Sequence, residues 1–161
     1  MDLGLKGKRA LVMGASKGLG RAIADSLADE GVSLVISGRT QASLDVAAAG
    51  LKARGAAASC AEQIDALGDA AVRLLGGVDI LVLNHGGPPP GTALEITEAQ
   101  LIEWFPKIVL NPIRLATRLL PAMRAQKWGR ILTVGSTGMV QPIPNLALSN
   151  ILRAAIVGWN K

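Results

Sequence analysis

Gly14-Ala15-Ser16-Lys17-Gly18-Leu19-Gly20 follows directly on the apolar run Arg9-Ala10-Leu11-Val12-Met13 near the start of the chain. The run predicts a β-strand buried on both faces, and Leu19, Ile23 and Leu27 then recur at helical spacing up to about Glu30. Glycine permits a tight turn and close backbone approach, and the first turn of a helix presents free N–H groups to a diphosphate. The glycine spacing differs from the usual dinucleotide-binding fingerprint but does the same work. We therefore predict that this turn binds a nucleotide.

The rest of the chain repeats the alternation of short apolar strands and longer helical segments, which is typical of βαβ units around a parallel sheet. Further strands are predicted at Val32–Ile36, weakly near Ala56–Cys60, at Val78–Leu83 and at Arg130–Val134. A helix is predicted over about Thr40–Arg54, and a short one follows the third strand and ends near Leu75. From Thr97 onward we predict either two helical pieces or one kinked long helix, because Pro106, Pro112 and Pro121 interrupt the region. The last predicted helix runs from about Asn145 towards Trp159. The predicted fold is a doubly wound, Rossmann-like α/β sheet in three layers (α/β/α), with residues 1–161 forming a single dinucleotide-binding domain.

Composition excludes several other classes of protein. In the 161 residues, 50% are hydrophobic and 18% charged, which is unlike a disordered chain. A single cysteine, Cys60, provides neither a disulfide framework nor a zinc quartet, so we expect no metal and interpret Cys60 as a core residue. No apolar run reaches membrane-spanning length and no signal core opens the chain, so we predict a cytoplasmic protein.

The net charge of +5 is unevenly distributed. Residues 1–103 hold nine Lys/Arg and twelve Asp/Glu, whereas residues 104–161 hold eight Lys/Arg and no acidic residue. Because these cations are scattered and accompany no recognition motif, we interpret them as a solvated helix face and predict no nucleic-acid binding. Acidic sequence beyond residue 161 is a second explanation for the asymmetry. The basic residues are Lys107, Arg114, Arg118, Arg124, Lys127, Arg130, Arg153 and Lys161.

The end of the second predicted strand bears on the choice of cofactor. A carboxylate there accepts hydrogen bonds from an unmodified ribose, whereas an arginine favours a 2′-phosphate. The sequence reads Ser37-Gly38-Arg39-Thr40. Arg39, helped by Lys17, therefore predicts NADP, with NAD less favoured. The alternative is that Arg39 points to water.

Together these motifs resemble the short-chain dehydrogenase/reductase family, in its 3-oxoacyl-[acyl carrier protein] reductase-like branch. The resemblance covers essentially the whole chain. It is carried, in order, by the glycine turn, by Asn84-His85-Gly86-Gly87 after the fourth strand, by Asn111, and by Gly129-Arg130-Ile131 leading to Ser136. By this resemblance Asn84 and Gly86 join the cofactor site.

In that family a serine, a tyrosine and a lysine carry out the chemistry, and Asn111 marks a position that supports them. Ser136 matches the serine, and the family's spacing places the tyrosine position at Ser149 and the lysine position at Arg153. The chain contains no tyrosine at all. A serine hydroxyl is a far weaker acid than a phenol, so the usual dyad cannot operate. Ser149 and Arg153, one helical turn apart, water, or His85 are the candidate replacements.

The resemblance implies hydride transfer between a nicotinamide and a carbonyl or alcohol substrate, which the branch suggests is a 3-oxoacyl thioester. The alternative is an NADP-binding member without turnover that acts as a regulatory or assembly subunit. By the same resemblance we expect a homodimer or homotetramer, a chain that continues beyond Lys161, and substrate selection by the loops Pro88–Ala93 and Thr137–Pro144. Arg114, Arg118 and Arg124 would suit an acidic acyl carrier.

Overall fold

A computed structural model describes residues 2–51, 54–57 and 61–161. Within these ranges the strands form one parallel sheet with the spatial order β3-β2-β1-β4-β5. This is the strand order of doubly wound dinucleotide-binding folds, so the predicted fold class is confirmed. The strands are β1 (Arg9–Val12), β2 (Ser33–Gly38), β3 (Arg54–Ala57), β4 (Ile80–Leu83) and β5 (Arg130–Thr133).

Helices cover both faces of the sheet and complete the predicted three layers. One apolar cluster joins α1 and α2 to one face through residues such as Ala24 and Leu44. A second cluster joins α3 and α5 to the other face through Leu67 and Leu115. The helices are α1 (Gly18–Asp29), α2 (Gln41–Leu51), α3 (Ala61–Leu75), α4 (Glu98–Phe105), α5 (Asn111–Ala125) and α6 (Ala147–Asn160).

The strand order reverses between β1 and β4, which pair with each other through buried apolar residues. In open α/β sheets a crevice forms at such a reversal, outside the carboxyl ends of the strands. The loops after β1, β2, β4 and β5 all leave the sheet at that edge. The topology therefore gathers the sequence motifs there.

Three sequence predictions need correction. The second helix ends at Leu51 rather than Arg54, because Arg54 already belongs to β3 and pairs with Val35. The third strand consequently begins two residues before Ala56, and its predicted end, with Cys60, lies outside the described residues. Leu19 is 68% exposed, so it is absent from the buried face of α1, where Gly20 and Ala24 lie instead.

The proline-interrupted region consists of two helices joined by one wide turn. Thr97 caps α4, and its hydroxyl accepts a hydrogen bond from the Gln100 amide at 3.3 Å, as the capping-box motif predicts. Residues 106–110 then form a π-helical segment in which the Asn111 amide bonds the Pro106 carbonyl. Pro112 and Pro121, predicted from the sequence to interrupt the region, lie within α5 and do not divide it. The π-helical segment sets where α5 begins, and hence the position of Asn111.

Some of the basic residues in 104–161 form ion pairs with acidic residues from 1–103. Arg114 on α5 pairs with Asp65 on α3 at 3.1 Å, and Arg118 pairs with Asp69 one turn further along. Such exposed pairs add little stability, but they account for two of the three arginines predicted to suit an acyl carrier. Among the described ranges, no helix has the length and apolar character to cross a membrane. Nor does that part of the chain contain three metal-binding side chains grouped together.

Candidate functional site

The glycine turn packs directly against the end of β4. Gly14 has a φ of +60°, in the region that favours glycine. A Cβ at Gly20 would lie 2.6 Å from Asn84 Nδ2 and 2.8 Å from the Gly14 carbonyl carbon, which is too close for any side chain. These two glycines therefore bring the start of α1 against the turn and against Asn84.

Asn84 is a buried polar residue that fixes this arrangement. Its Nδ2 donates to the carbonyl oxygens of Met13 at 3.2 Å and Gly14 at 3.3 Å. On the other side of the turn, the Ala15 amide donates to the Ser37 carbonyl at 2.9 Å. The turn is thus hydrogen-bonded to both β2 and β4, so its amides point in defined directions.

The first turn of α1 provides free donors for an anion. Lys17 precedes the helix in an extended conformation and its side chain makes no capping hydrogen bond. The first turn contains no acidic residue, and the earliest helical bond runs from the Arg21 amide to the Lys17 carbonyl. The Gly18, Leu19 and Gly20 amides therefore lack an intrahelical acceptor, which is the arrangement that binds phosphate at a helix N-terminus. The turn fits a dinucleotide diphosphate on these observations.

Arg39 lies at the end of β2, next to the glycine turn. Ser16 of the turn lies beside Gly38, the residue before Arg39: a Cβ on Gly38 would be 3.4 Å from Ser16 Oγ. Arg39 and Lys17 are exposed. Among the described residues neither has an ion-pair partner. Both side chains are thus available to a ligand bound along the turn.

A second group of polar residues lies where β5 ends and α6 begins. Arg153 Nε donates to Ser149 Oγ at 3.3 Å, and its Nη1 donates to the Val134 carbonyl at 2.9 Å. Val134 lies two residues before Ser136, whose Oγ accepts a hydrogen bond from the Gly138 amide at 3.1 Å. The structure thus places Ser149 and Arg153 on one face of α6, as their spacing predicts, beside the loop that carries Ser136.

His85 lies at the end of β4 and is partly buried. Its Nδ1 lies 2.8 Å from the Gly86 carbonyl oxygen, so this nitrogen carries the proton. Burial lowers the pKa of His85 below its ordinary value, and the charge of Arg153 lowers it further, against the opposing effect of the Gly86 hydrogen bond. His85 is therefore neutral near pH 7, with Nε2 as an acceptor, which is unfavourable for donating a proton.

Asn111 is buried at the start of α5, and its Oδ1 has no hydrogen-bond partner among the described residues. A buried acceptor without a donor is costly, so such atoms often mark a site that a water or ligand completes. No hydrogen bond within the described ranges joins Asn111 to Ser136, Ser149 or Arg153. Asn111 Oδ1 is thus a buried acceptor that a donor from a water or a ligand would complete.

Sequence reasoning missed Asn150. Its Oδ1 accepts a hydrogen bond from the Ile143 amide at 3.3 Å, and its Nδ2 donates to the Ile143 carbonyl at 3.0 Å. It also closes over Gly138, where a Cβ would clash with Asn150 Oδ1. Asn150 therefore joins α6 to the loop that carries Ser136. An asparagine in a helix interior, where its propensity is poor, was the available signal.

A small cavity lies between the loop after β4 and the beginning of α6. Its volume is about 180 Å³. The loop is held to α6 by a Gly91 amide bond to the Asn145 carbonyl at 2.7 Å and by an Ala147 amide bond to the Gly91 carbonyl at 3.2 Å. The cavity is lined by Pro89, Pro90, Gly91, Glu95, Ile96, Gln100 and Leu148. One of the two loops predicted to select substrate therefore borders a cavity.

Curated proteins similar to this chain are oxidoreductases. The uncharacterized oxidoreductase YvrD of Bacillus subtilis is 30% identical over 166 residues, covering 100% of this chain and 63% of YvrD. Dehydrogenase/reductase SDR family member 4 of Sus scrofa is 34% identical over 165 residues, covering 98% of this chain and 59% of that protein. This chain thus spans about three-fifths of the length of these relatives.

Solved structures give the same result. An L-sorbose reductase from Gluconobacter frateurii, complexed with NADPH and L-sorbose, has a TM-score of 0.93 at 34% identity and covers 99% of this chain and 64% of its own. A 3-oxoacyl (acyl-carrier-protein) reductase from Agrobacterium tumefaciens with NADP bound has a TM-score of 0.90 at 27% identity, over 96% and 62%. The short chain dehydrogenase family itself matches residues 8–150. With the glycine turn, the strand order and this match in agreement, the chain belongs to the short chain dehydrogenase family.

Proposed function

We propose that the protein is an NADP(H)-dependent oxidoreductase that transfers a hydride between the nicotinamide and a carbonyl or alcohol substrate. The observation that carries the proposal is the start of α1. Its uncapped amides adjoin two glycines packed too closely for side chains, and Asn84 holds the turn in place. Such an arrangement has the shape and polarity that a dinucleotide diphosphate requires.

The preference for NADP rests on Arg39 and Lys17. Both cations are exposed beside the turn, and no carboxylate stands at the end of β2 to bind an unmodified ribose. A guanidinium forms strong paired hydrogen bonds with a phosphate. The L-sorbose reductase and the 3-oxoacyl reductase that this chain resembles are complexed with NADPH and NADP, respectively, in line with this preference. The proposed cofactor residues are Gly14, Ser16, Lys17, Gly18, Leu19, Gly20, Arg39, Asn84 and Gly86.

When bound, the nicotinamide would supply or accept the hydride. In the reducing direction the carbonyl carbon gains that hydride and the carbonyl oxygen gains a proton. Ser136 would orient the carbonyl, because the Gly138 amide occupies a lone pair of its oxygen and leaves the hydroxyl proton to be donated. Arg153, through its charge, would stabilise the oxygen as negative charge develops. Asn111 would help to complete the site.

The proton would reach the oxygen through water and the Ser149 hydroxyl. Ser149 is already an acceptor for Arg153 Nε, so its own proton is directed away from the guanidinium. His85 is a poorer candidate, because its depressed pKa leaves it neutral near pH 7. We accordingly propose Ser136, Ser149, Arg153 and Asn111 as the catalytic set, with Ser149 and Arg153 at the family's tyrosine and lysine positions.

A second candidate function is cofactor binding without turnover, in a regulatory or assembly subunit. The absence of tyrosine from the 161 residues favours it, because a serine hydroxyl cannot serve as a tuned acid in the way a phenol does. Both candidates require NADPH binding, so only turnover separates them.

Substrate, partners and location are proposed from the family. The substrate would be a small carbonyl or alcohol compound, with a 3-oxoacyl thioester as one form and an acyl carrier as a partner. Since Arg114 and Arg118 are paired with aspartates, Arg124 is the arginine of that group left for a carrier. Apolar side chains exposed on α4 and α6, such as Ile102 and Ile151, suit a homodimer or homotetramer. The cytoplasmic location stays a prediction.

The experiment is NADPH oxidation by the complete polypeptide with β-ketoacyl thioesters, small ketones and quinones. We expect turnover in the parent protein and a rate at least about tenfold lower in Ser136→Ala, because this variant lacks the hydroxyl that orients the carbonyl. Tight NADPH binding without any turnover would favour the non-catalytic candidate instead. Activity gained by a Ser149→Tyr, Arg153→Lys double variant would then show that the dyad was the missing component.

A further inference from the structure

Arg153 is a partly buried cation without a counter-ion. Among the described arginines, those withdrawn from solvent are Arg9, Arg21 and Arg153. Arg9 binds Asp79 and Arg21 binds Asp25, whereas no carboxylate in the described part of the chain pairs with Arg153. A buried charge is costly unless it is paired, and burial accordingly lowers the pKa of Arg153.

The side chains around Arg153 do not provide the missing charge. Its two hydrogen-bond acceptors, Ser149 Oγ and the Val134 carbonyl, are neutral. Residues 104–161, which include β5 and α6, hold no acidic residue at all. Glu95, the acid that lines the cavity between the loop after β4 and α6, is already bound by the Thr92 amide at 2.7 Å and by the Thr92 hydroxyl at 2.9 Å.

A guanidinium has five N–H donors, and the two hydrogen bonds to Ser149 and Val134 use two of them. Nη2 has no partner among the described residues. The donors that remain suit a carboxylate, which a guanidinium can bind through two parallel hydrogen bonds. A ligand carboxylate would therefore balance a charge that the protein leaves unbalanced.

We propose that Arg153 binds a carboxylate of the substrate, so that the substrate class is an oxo acid or the corresponding hydroxy acid. This inference rests on the proposed function, since it concerns the same site. The carboxylate is not altered by the reaction. It would take two of the three remaining N–H donors and anchor the molecule, and the third donor would stay available to the oxygen of the neighbouring carbonyl, as the proposed function requires.

The test compares acetoacetate with methyl acetoacetate, which differ in that one charge. Titration calorimetry of each into the complete polypeptide saturated with NADP⁺ measures binding without turnover, because neither partner can donate a hydride. We expect acetoacetate to bind at least about tenfold more tightly than the ester, Arg153→Met to abolish the difference, and Arg153→Lys to keep part of it. Arg73→Met, on the exposed surface of α3, is the matched control and should keep the full preference.

The NADP⁺ affinity of every variant is measured as well. It should change less than about threefold, which is less than the loss of an ionic contact to the cofactor would cause. Equal binding of acid and ester, no binding of either, or a preference that survives in Arg153→Met would overturn the inference while the proposed function stood. A loss of NADP⁺ affinity in Arg153→Met without any acid preference in the parent protein would make Arg153 a cofactor ligand instead. Failure of the parent protein to bind NADP⁺ would overturn the proposed function together with this inference.

Discussion

Replacing Gly20 by alanine should disrupt the nucleotide turn more than any other single methyl group. The added Cβ would lie 2.6 Å from Asn84 Nδ2 and 2.8 Å from the Gly14 carbonyl carbon, and nearer still to the Gly14 oxygen. Real Cβ atoms do not approach backbone atoms this closely, so the turn must move by several tenths of an ångström. Overpacking of this kind costs about 1–3 kcal/mol of folding free energy. Because the α1 amides move with the turn, we expect the NADPH affinity to fall at least about tenfold, or ~1.4 kcal/mol.

The assay combines titration calorimetry with NADPH and thermal unfolding of the complete polypeptide. Gly158→Ala is the matched control, because a Cβ there meets open space within α6 and the φ of Gly158 is ordinary. That control should bind NADPH like the parent and gain up to about 1 kcal/mol of stability from helix propensity. If Gly20→Ala fails to fold, Gly18→Ala tests the same turn: its Cβ meets no atom, but its φ of +60° is strained for alanine. NADPH affinity within about threefold of the parent in a folded Gly20→Ala would refute the reasoning.

Three further predictions concern selectivity, stability and the serine loop. Arg39→Ser should weaken NADPH binding about tenfold and leave NADH binding unchanged, because only NADPH carries the 2′-phosphate. Titration calorimetry measures both affinities, and Arg73→Ser, at another exposed arginine, is the control. The hydrogen bond from Arg9 lowers the pKa of Asp79 from 3.8 to about 2. Asp79→Asn should therefore lower the free energy of unfolding by about 2 kcal/mol at pH 7, and this loss should shrink as the pH falls from about 4 to 2. Denaturant melts of both proteins at pH 7, 4 and 2 measure the difference, and a difference that stays constant across these pH values would contradict the account. Asn150→Leu removes both hydrogen bonds to Ile143, so the free energy of unfolding should fall by about 1–3 kcal/mol. Hydrogen-exchange mass spectrometry should also show faster exchange of the Ile143 amide, and unchanged protection would contradict the linking role of Asn150.

The parts of the fold predictable from sequence were those in which the local pattern and the tertiary structure agree. The buried run at β1, the glycine turn and the Thr97 capping box are each determined by neighbouring residues, and all occur where the pattern predicts them. The third strand is harder, because Gly55 and the alanines around it have weak strand propensity and pairing with β2 determines its limits. Leu19 shows the reverse case: helical spacing placed it on the buried face, but Gly20 packs there because only glycine fits against Gly14.

The parts of the candidate site that depend on residue type and spacing along one helix could be predicted from the sequence. The parts that depend on contacts with residues distant in sequence could not. Ser149 and Arg153 were expected on one face from their spacing, and they are hydrogen-bonded. The Val134 carbonyl that holds Arg153, and the neutral state of His85, depend on burial and on residues distant in sequence. The pairing of Arg114 with Asp65, 49 residues earlier, likewise could not be inferred from a count of charges along the chain.

NADPH binding by the complete polypeptide tests the central claim most directly, because every proposed role depends on a nucleotide held at the start of α1. Titration calorimetry should give one site per chain, tighter for NADPH than for NADH, with the affinity reduced in Gly20→Ala and preserved in Gly158→Ala. A flat titration with both nucleotides, on protein shown to be folded, would contradict the account.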